Sequence, residues 1–319
     1  MVPHHARRMQ PRHRAPMPAT RADARHGYNP RTMKDYRKAA HWQNPANKLF
    51  PHQVGFTCPP HDFDAAPSDF LRMAPPTVGV HGRMLHAPDY DYALAQRKQQ
   101  FHLLEEFVHC MANNGVDVCG QVGSNWAHAC GLGVDGVRAH CEMLSDKYQT
   151  PFHMAGYALV EALRECNIAR VALNAAYHRP EWWQGTVAFL EEAGVEVAWA
   201  GNFFDQGWFA SQQEVDDCHW CFDAALARKS FLYVAERVAE LVAERAPPVD
   251  AYLINGMCNF RGGADAQAQR PVHLETELEA LLGAPVIGHD SALYWRMFKT
   301  LGLAPVTKQG RLLASLQAA

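Results

Sequence analysis

The chain has 319 residues, 48% of them hydrophobic and 20% charged, and a net charge of -3. This composition is typical of a globular protein with enough core for one large or two medium domains, and no apolar run approaches the roughly 18–20 residues that cross a bilayer. Nine cysteines without framework spacing are typical of a reducing compartment, so we expect a cytoplasmic protein without a disulfide scaffold.

The first 52 residues differ in charge from the rest of the chain. They carry eight Arg and three Lys against Asp23 and Asp35, a balance of +9, which leaves -12 for the remainder. With many Pro, Arg and His and almost no periodic apolar residues, residues 1–52 are predicted to form an extended or disordered tail. A targeting peptide, an arm in a homo-oligomer and a start codon placed too far upstream are alternatives. No known nucleic-acid-binding module accompanies the charge, so we expect no nucleic-acid partner.

Strands and helices alternate after this tail. The apolar patterns predict strands at 53–58, 78–81, 116–122, 170–174, 195–200, 249–255 and 285–288. Periodicity near 3.6 predicts helices at 92–114, 133–147, 153–166, 181–193, 230–244, 275–282 and 292–301. Alternation of this kind predicts an α/β fold with parallel sheets flanked by helices. We expect two similar lobes related by a pseudo-twofold axis, with residues 53–150 plus 285–319 in the first, 151–284 in the second, and the active site between them.

Two segments of the chain repeat one pattern. Residues 116–125 and 249–259 each begin with Val-Asp, continue as a short apolar strand, and end in a turn rich in Gly, Ser and Asn. The two aspartates, Asp117 and Asp250, lie 133 positions apart. Ligands of open α/β sheets bind just past the carboxyl ends of strands. The repeat therefore predicts a duplicated scaffold with one site between the two strand ends.

Residues 53–303 resemble the aspartate/glutamate racemase superfamily, in the branch of arylmalonate decarboxylase and maleate cis–trans isomerase. The resemblance depends on the order and spacing of several segments rather than on one motif. These segments are Val54-Gly55-Phe56-Thr57-Cys58-Pro59-Pro60, Gly123-Ser124-Asn125, Val171-Ala172-Leu173-Asn174-Ala175-Ala176-Tyr177, and Leu282-Gly283-Ala284-Pro285-Val286-Ile287 with Trp295 further on. The tail and much of 201–223 lie outside the resemblance.

The resemblance implies chemistry at a carbon next to a carboxylate, without a cofactor. Racemases and isomerases of this family place one cysteine at each of the two strand ends, whereas the decarboxylase has glycine at the first and cysteine at the second. In this chain the first place is Gly123. The second, counted from Asp250, is Gly256, with Cys258 two residues later. The glycine at 123 favours the decarboxylase pattern and leaves the proton donor open.

An enediolate next to a carboxylate requires several preorganised hydrogen-bond donors. We predict Ser124, Asn125 and Tyr177 as these donors and Cys258 as the acid or base, since a thiol can deliver a proton. Predicted substrate-binding residues share the loops after the strands: Pro59, Pro60, Gly123, Asn255, Gly256 and Met257. Nearby apolar side chains, Phe63 and Met84, are predicted to line a dry part of the site.

Each of these residues also has a structural interpretation. Ser124 and Asn125 could serve only to form the turn. Tyr177 could be an ordinary interfacial tyrosine, and Cys258 a small buried apolar residue. His128 is either a proton donor near neutral pH or a histidine at a helix start. Cys119 is expected to pack in the core. Cys218 and Cys221 form a single CxxC without a matching second pair, so we expect no metal site. The chain has no phosphate-binding or dinucleotide motif, and we expect no cofactor.

These features predict a decarboxylase-like carbon–carbon lyase that acts on a malonate-type dicarboxylic acid through an enediolate. The alternative is a maleate-type cis–trans isomerase or a racemase of a small dicarboxylate. A third hypothesis is a carboxylate-binding protein without activity. A small carboxylic acid is the expected partner in each case.

Overall fold

The structure is a computed structural model that describes residues 45–58, 64–218, 221–256, 258–261, 268–307 and 309–317. Within these residues the strands are β1 (His52–Cys58), β2 (Val78–Met84), β3 (Val118–Gln121), β4 (Phe152–Met154), β5 (Arg170–Ala176), β6 (Glu196–Asn202), β7 (Cys221–Asp223), β8 (Ala251–Ile254), β9 (Asn259–Arg261), β10 (Ala268–Gln269) and β11 (Val286–Gly288).

The helices of the same residues run between and after these strands. They are α1 (Ala66–Met73), α2 (Leu94–Gln99), α3 (Leu103–Asn113), α4 (Asn125–Ala129), α5 (Gly133–Tyr148), α6 (Ala155–Glu165), α7 (Pro180–Glu192), α8 (Gln212–Asp217), α9 (Ala224–Ala243), α10 (Pro271–Leu282), α11 (His289–Leu301) and α12 (Arg311–Ala314). None of the helices in the described ranges is both long and apolar enough to cross a membrane.

Two four-stranded parallel sheets have the same strand order. The first runs β2-β1-β3-β4 and the second β6-β5-β8-β11, so each sheet follows the order second, first, third, fourth strand of its own half. The repeated sequence segments form β3 and β8, the third strand of each sheet. The predicted α/β fold with two related sheets is therefore confirmed. A small third sheet, β10-β9-β7, was not predicted, because its strands have only two or three residues each.

Sheet membership differs from the predicted lobe boundaries at two strands. β4 pairs with β3 in the first sheet, although the predicted boundary at residue 150 assigned it to the second lobe. β11 pairs with β8 in the second sheet, although the predicted boundary at residue 285 assigned it to the first. Hydrogen bonding of parallel neighbours decides which sheet a strand joins, and the sequence pattern of a single strand does not contain that information.

The helices that follow β4 and β11 are equivalent in the two halves and pack on each other. Two ion pairs join them, Arg296 to Glu161 at 3.1 Å and Lys299 to Glu165 at 2.6 Å. Apolar side chains cover both faces of β8 in the second sheet. Successive residues of a strand point to opposite faces. Leu253 belongs to the apolar cluster that includes residues of the first sheet, and Ile254 belongs to a second apolar cluster on the other face.

Two predicted segments differ from the structure. The single helix predicted at 92–114 is two helices, α2 and α3, separated by residues 100–102. Helix α1 was not predicted, because it follows a proline-rich loop and has only eight residues. The shorter α2 packs against α4, which starts next to the end of β3. The break therefore brings α2 to the first of the two strand ends.

Candidate active site

A cavity of about 50 Å³ lies where β3, β5 and β8 end. Three parts of the chain besides the strand ends form its walls: α2 with the segment before it, the start of α4 and the start of α7. The described residues that line it are Tyr90, Tyr92, Arg97, Val122, Gly123, Ser124, Asn125, Trp126, Tyr177, His178, Trp182 and Gly256.

A larger cavity of about 230 Å³ lies at the opposite end of β1, beside Leu49 and Phe50. Its described lining is mostly apolar and includes no residue of the two repeated turns. Binding sites usually combine apolar walls with a few converging polar groups. We therefore place the candidate site at the smaller cavity, where such groups converge.

Glycine turns shape both repeated strand ends. Gly123 has φ of +93° and Gly256 has φ of +84°, a region that residues with a side chain rarely adopt. Gly123 turns the backbone after β3, and the two residues that follow it, Ser124 and Asn125, line the cavity. Gly123 and Gly256 were both predicted as substrate-binding residues, and the structure places both in the cavity wall.

Hydrogen bonds connect the two strand ends to each other. The Ser124 hydroxyl donates to Asn255 Oδ1 at 2.8 Å, and the amide of Gly256 donates to the same oxygen at 3.0 Å. Asn255 Nδ2 donates to Thr186 Oγ1 at 3.0 Å. All of these groups are buried. The side chain of Asn255 therefore links the two strand ends and α7 through hydrogen bonds. The Ser124 hydroxyl uses its hydrogen for the bond to Asn255.

We expect Ser124→Ala to lower the free energy of unfolding by about 0.5–1.5 kcal/mol, because Asn255 Oδ1 keeps its bond from Gly256 when the hydroxyl is lost. Thr186→Val should cost more, about 1–3 kcal/mol, because it leaves the buried Asn255 Nδ2 without an acceptor. Urea unfolding measures both. Ser68→Ala, which removes an exposed hydroxyl that bonds to the Ala65 carbonyl, is the control. Equal costs for Ser124→Ala and Thr186→Val would contradict this bonding scheme.

His128 lies behind Asn125 rather than in the cavity wall. Its Nε2 is 3.3 Å from Asn125 Oδ1, and the tautomer with hydrogen on Nε2 donates to that oxygen. Burial, then the charges of Arg97 and His289, lower the pKa of His128 to about 4. With Oδ1 engaged by His128, Asn125 can offer its Nδ2 as a donor to a ligand. The alternative of His128 as a direct proton donor is not supported by this position.

Arg97 was not predicted and is the only described lining residue with a formal charge. Its side chain is 6% exposed, stacks over Trp182 at 4.9 Å and donates to the carbonyl of Tyr92. Among the described residues, no carboxylate lies within salt-bridge distance of its guanidinium, and burial lowers its pKa. A buried charge without a counter-ion is costly. The positive charge of Arg97 therefore makes the cavity a favourable place for an anion.

The structure places Cys258 in the core instead of the cavity. The residue is 0% exposed, belongs to the apolar cluster of Phe222 and Phe260, and does not line the cavity. Burial raises the pKa of its thiol, with Arg270 acting in the opposite direction. Cys119 packs in the other apolar cluster, as predicted.

The remaining predicted residues either line the cavity, lie outside the described residues or, in the case of Met84, lie away from the cavity. Tyr177 and Asn125 line the cavity as predicted, and Tyr177 packs edge-on against Trp182. Pro59, Pro60, Phe63 and Met257 lie outside the described residues. Met84 was expected in a dry part of the site but is 54% exposed at the end of β2 and does not line the cavity. That expectation was wrong, because β2 is an edge strand whose end faces solvent.

The structure is similar to solved structures of two kinds of enzyme. Arylmalonate decarboxylase matches with a TM-score of 0.56 and 17% identity, over 82% of this chain and 99% of that one. The maleate isomerase Iso from Pseudomonas putida S16 matches with a TM-score of 0.58 and 18% identity, over 83% and 99%. A Nocardia farcinica maleate cis–trans isomerase mutant with a covalently bound succinylcysteine intermediate matches with a TM-score of 0.55 and 18% identity, over 83% and 98%.

The sequence itself matches no protein-family model and no curated protein. The likeness is therefore one of fold, and it extends over nearly the whole length of the matched structures. The chain has the fold of arylmalonate decarboxylase and maleate cis–trans isomerase, which is the fold that the sequence resemblance predicted.

Proposed function

We propose that the protein is a cofactor-independent lyase that decarboxylates a small malonate-type dicarboxylic acid through an enediolate. The observation that carries this proposal is the cavity between the strand ends. It combines aromatic walls with the guanidinium of Arg97, which has no carboxylate within salt-bridge distance among the described residues, and its described lining contains no thiol. The fold, shared with an arylmalonate decarboxylase, supports it.

Arg97 is suited to hold the carboxylate that stays with the product. A guanidinium binds a carboxylate through two parallel hydrogen bonds, which fixes its orientation as well as its position. The guanidinium carbon of Arg97 lies 4.9 Å from the centroid of the Trp182 ring and 5.8 Å from that of Tyr90. These two aromatic contacts restrict where the guanidinium can lie in the cavity wall.

Loss of CO2 from a malonate leaves an electron pair that spreads onto the oxygens of the retained carboxylate. Donors that face these oxygens stabilise the enediolate, and removal of one such donor costs about 2.7–4 kcal/mol by oxyanion-hole precedent. Asn125 Nδ2 and the Tyr177 hydroxyl are the donors that we assign to this role. Ser124, which donates to Asn255, orients the turn that carries Asn125.

The departing carboxylate would lie against the apolar part of the wall, at Val122 and Trp126. Apolar surroundings disfavour a carboxylate and favour neutral CO2. A cysteine-dependent isomerisation requires a thiolate at the substrate, and the described lining contains no cysteine. Burial also raises the pKa of Cys58, the thiol at the end of β1, to about 12. These features favour decarboxylation over isomerisation or racemisation.

The direct test is incubation of the purified protein, dialysed against EDTA, with vinylmalonate, phenylmalonate or maleate. We expect CO2 release from vinylmalonate, with phenylmalonate a poorer substrate because the cavity is small, and much slower CO2 release from Arg97→Met. Conversion of maleate to fumarate without CO2 release from either malonate would show that the isomerase alternative is right. Binding of all three acids without turnover would instead identify a carboxylate-binding protein.

A further inference from the structure

The two repeated strand ends differ in what fills the space in front of them. A Cβ added at Gly123 would be 3.7 Å from its nearest neighbour, Trp126, and so would meet ordinary contacts. A Cβ added at Gly256 would be 2.7 Å from Nε2 and 2.9 Å from Cδ2 of His178. The imidazole of His178 thus occupies the place where a side chain at the second strand end would lie.

The backbone and two aromatic rings hold His178 in this place. It follows Tyr177 just beyond β5, after Ala176, whose φ of +51° is uncommon for a residue with a side chain. Asn202 Nδ2 donates to the His178 carbonyl at 2.9 Å. The imidazole packs edge-on against the rings of Tyr177 and Trp182, at 4.9 and 5.5 Å.

The imidazole is buried, 1% exposed, and its Nδ1 has no hydrogen-bond partner among the described residues. Burial first, then the charges of His289 at the start of α11, Arg97 on α2 and His128 on α4, hold the pKa of His178 well below its usual value. The unliganded protein therefore carries a neutral imidazole here. A bound dianion would compensate the charge of Arg97 and favour the imidazolium, since nearby negative charge stabilises the charged form.

We propose that His178 Nε2 is the acid that protonates the α-carbon, in the place that the sequence resemblance assigns to the second cysteine. This inference rests on the proposed decarboxylation. The bond between the α-carbon and one carboxylate breaks, its electron pair stays on the α-carbon and the retained carboxylate, and CO2 leaves. The imidazolium then transfers its Nε2 proton to the α-carbon and becomes neutral. Solvent supplies the next proton when the next dianion binds.

A prochiral substrate separates this role from a structural one. With 2-methyl-2-vinylmalonate, the wild-type protein should give one enantiomer, because Gly123 offers no acid on the opposite face. His178→Asn should lower kcat by about 10²–10⁴-fold, leave KM within a few-fold, and give racemic product, because water then protonates either face. His153→Gln is the control: His153 is a half-buried histidine of β4 whose imidazole bonds to the Thr300 hydroxyl, and this variant should keep one enantiomer and the wild-type rate. A single enantiomer from His178→Asn would overturn the assignment.

Calorimetric titration of malonate at pH 7.5 in two buffers of different ionisation enthalpy gives a second readout that needs no turnover. Wild-type protein should take up close to one proton for each malonate bound, and His178→Asn should take up about one proton fewer. Equal uptake by both proteins would overturn the role of His178 even if CO2 is released. Uptake that depends on His178 in a protein that releases no CO2 would support the proton site and refute the proposed decarboxylation.

Discussion

Replacing Arg97 by methionine is expected to lower the affinity for malonate about 10²–10³-fold without destabilising the unliganded protein. Loss of one partner of a buried, hydrogen-bonded ion pair costs about 2–5 kcal/mol, and the expected change in Kd corresponds to the middle of this range, about 3–4 kcal/mol. In the unliganded protein the same substitution removes a desolvated charge that no described carboxylate compensates. Apolar replacement of buried charges is often neutral or stabilising. Calorimetric titration and urea unfolding measure the two effects.

Arg179 offers a matched control for this prediction. Its guanidinium also lies over Trp182, at 5.1 Å, but it forms a 3.0 Å ion pair with Asp216 and does not line the cavity. Arg179→Met should therefore change malonate affinity by less than about threefold, since the charge is already paired outside the cavity. An equal loss of affinity in both variants would mean that the effect passes through Trp182 and would contradict direct binding by Arg97.

The parts of the fold that the sequence could predict are those with a local signal. The strands β3 and β8 have short apolar runs followed by Gly, Ser and Asn, and both the strands and their turns were predicted from that pattern. Period-2 and 3.6-residue patterns likewise predicted most of the longer elements. The membership of β4 and β11 in their sheets has no local signal, because it depends on pairing between distant strands.

The site residues that were missed depend on contacts across the chain. Arg97 lies on what resembles the polar face of one long helix, and residues 100–102, where that helix breaks, contain neither Gly nor Pro. His178 adjoins the predicted Tyr177, but its place follows from contact with Gly256, far along the sequence. Cys258 was predicted as the acid or base because it is near Gly256 in the sequence. Its burial with Phe260 is a property of the folded core.

Gly256→Ala is expected to be the most damaging small substitution in the site. Its φ of +84° would strain any residue with a side chain, at a cost of about 1–2 kcal/mol. The new Cβ would also lie 2.7 Å from His178 Nε2 and 2.8 Å from Tyr177 Cε1. Both rings are buried and pack edge-on against Trp182, so overpacking adds about 1–3 kcal/mol. We expect the proposed decarboxylase activity to fall at least about 100-fold, because the displaced rings carry the groups proposed as the proton donor and as an enediolate donor.

Gly283→Ala is a control that has the backbone strain of Gly256→Ala but not its contact with His178. Gly283 has φ of +70° at the end of α10, and no atom lies within 4 Å of its added Cβ. This variant should therefore lose only the strain energy in urea unfolding and retain wild-type turnover. Gly123→Ala, with φ of +93° and ordinary contacts, should lose a similar free energy of unfolding. If Gly256→Ala matched Gly283→Ala in both stability and activity, the imidazole would not be held in front of the second strand end. The difference between the two related turns would then have no part in the chemistry.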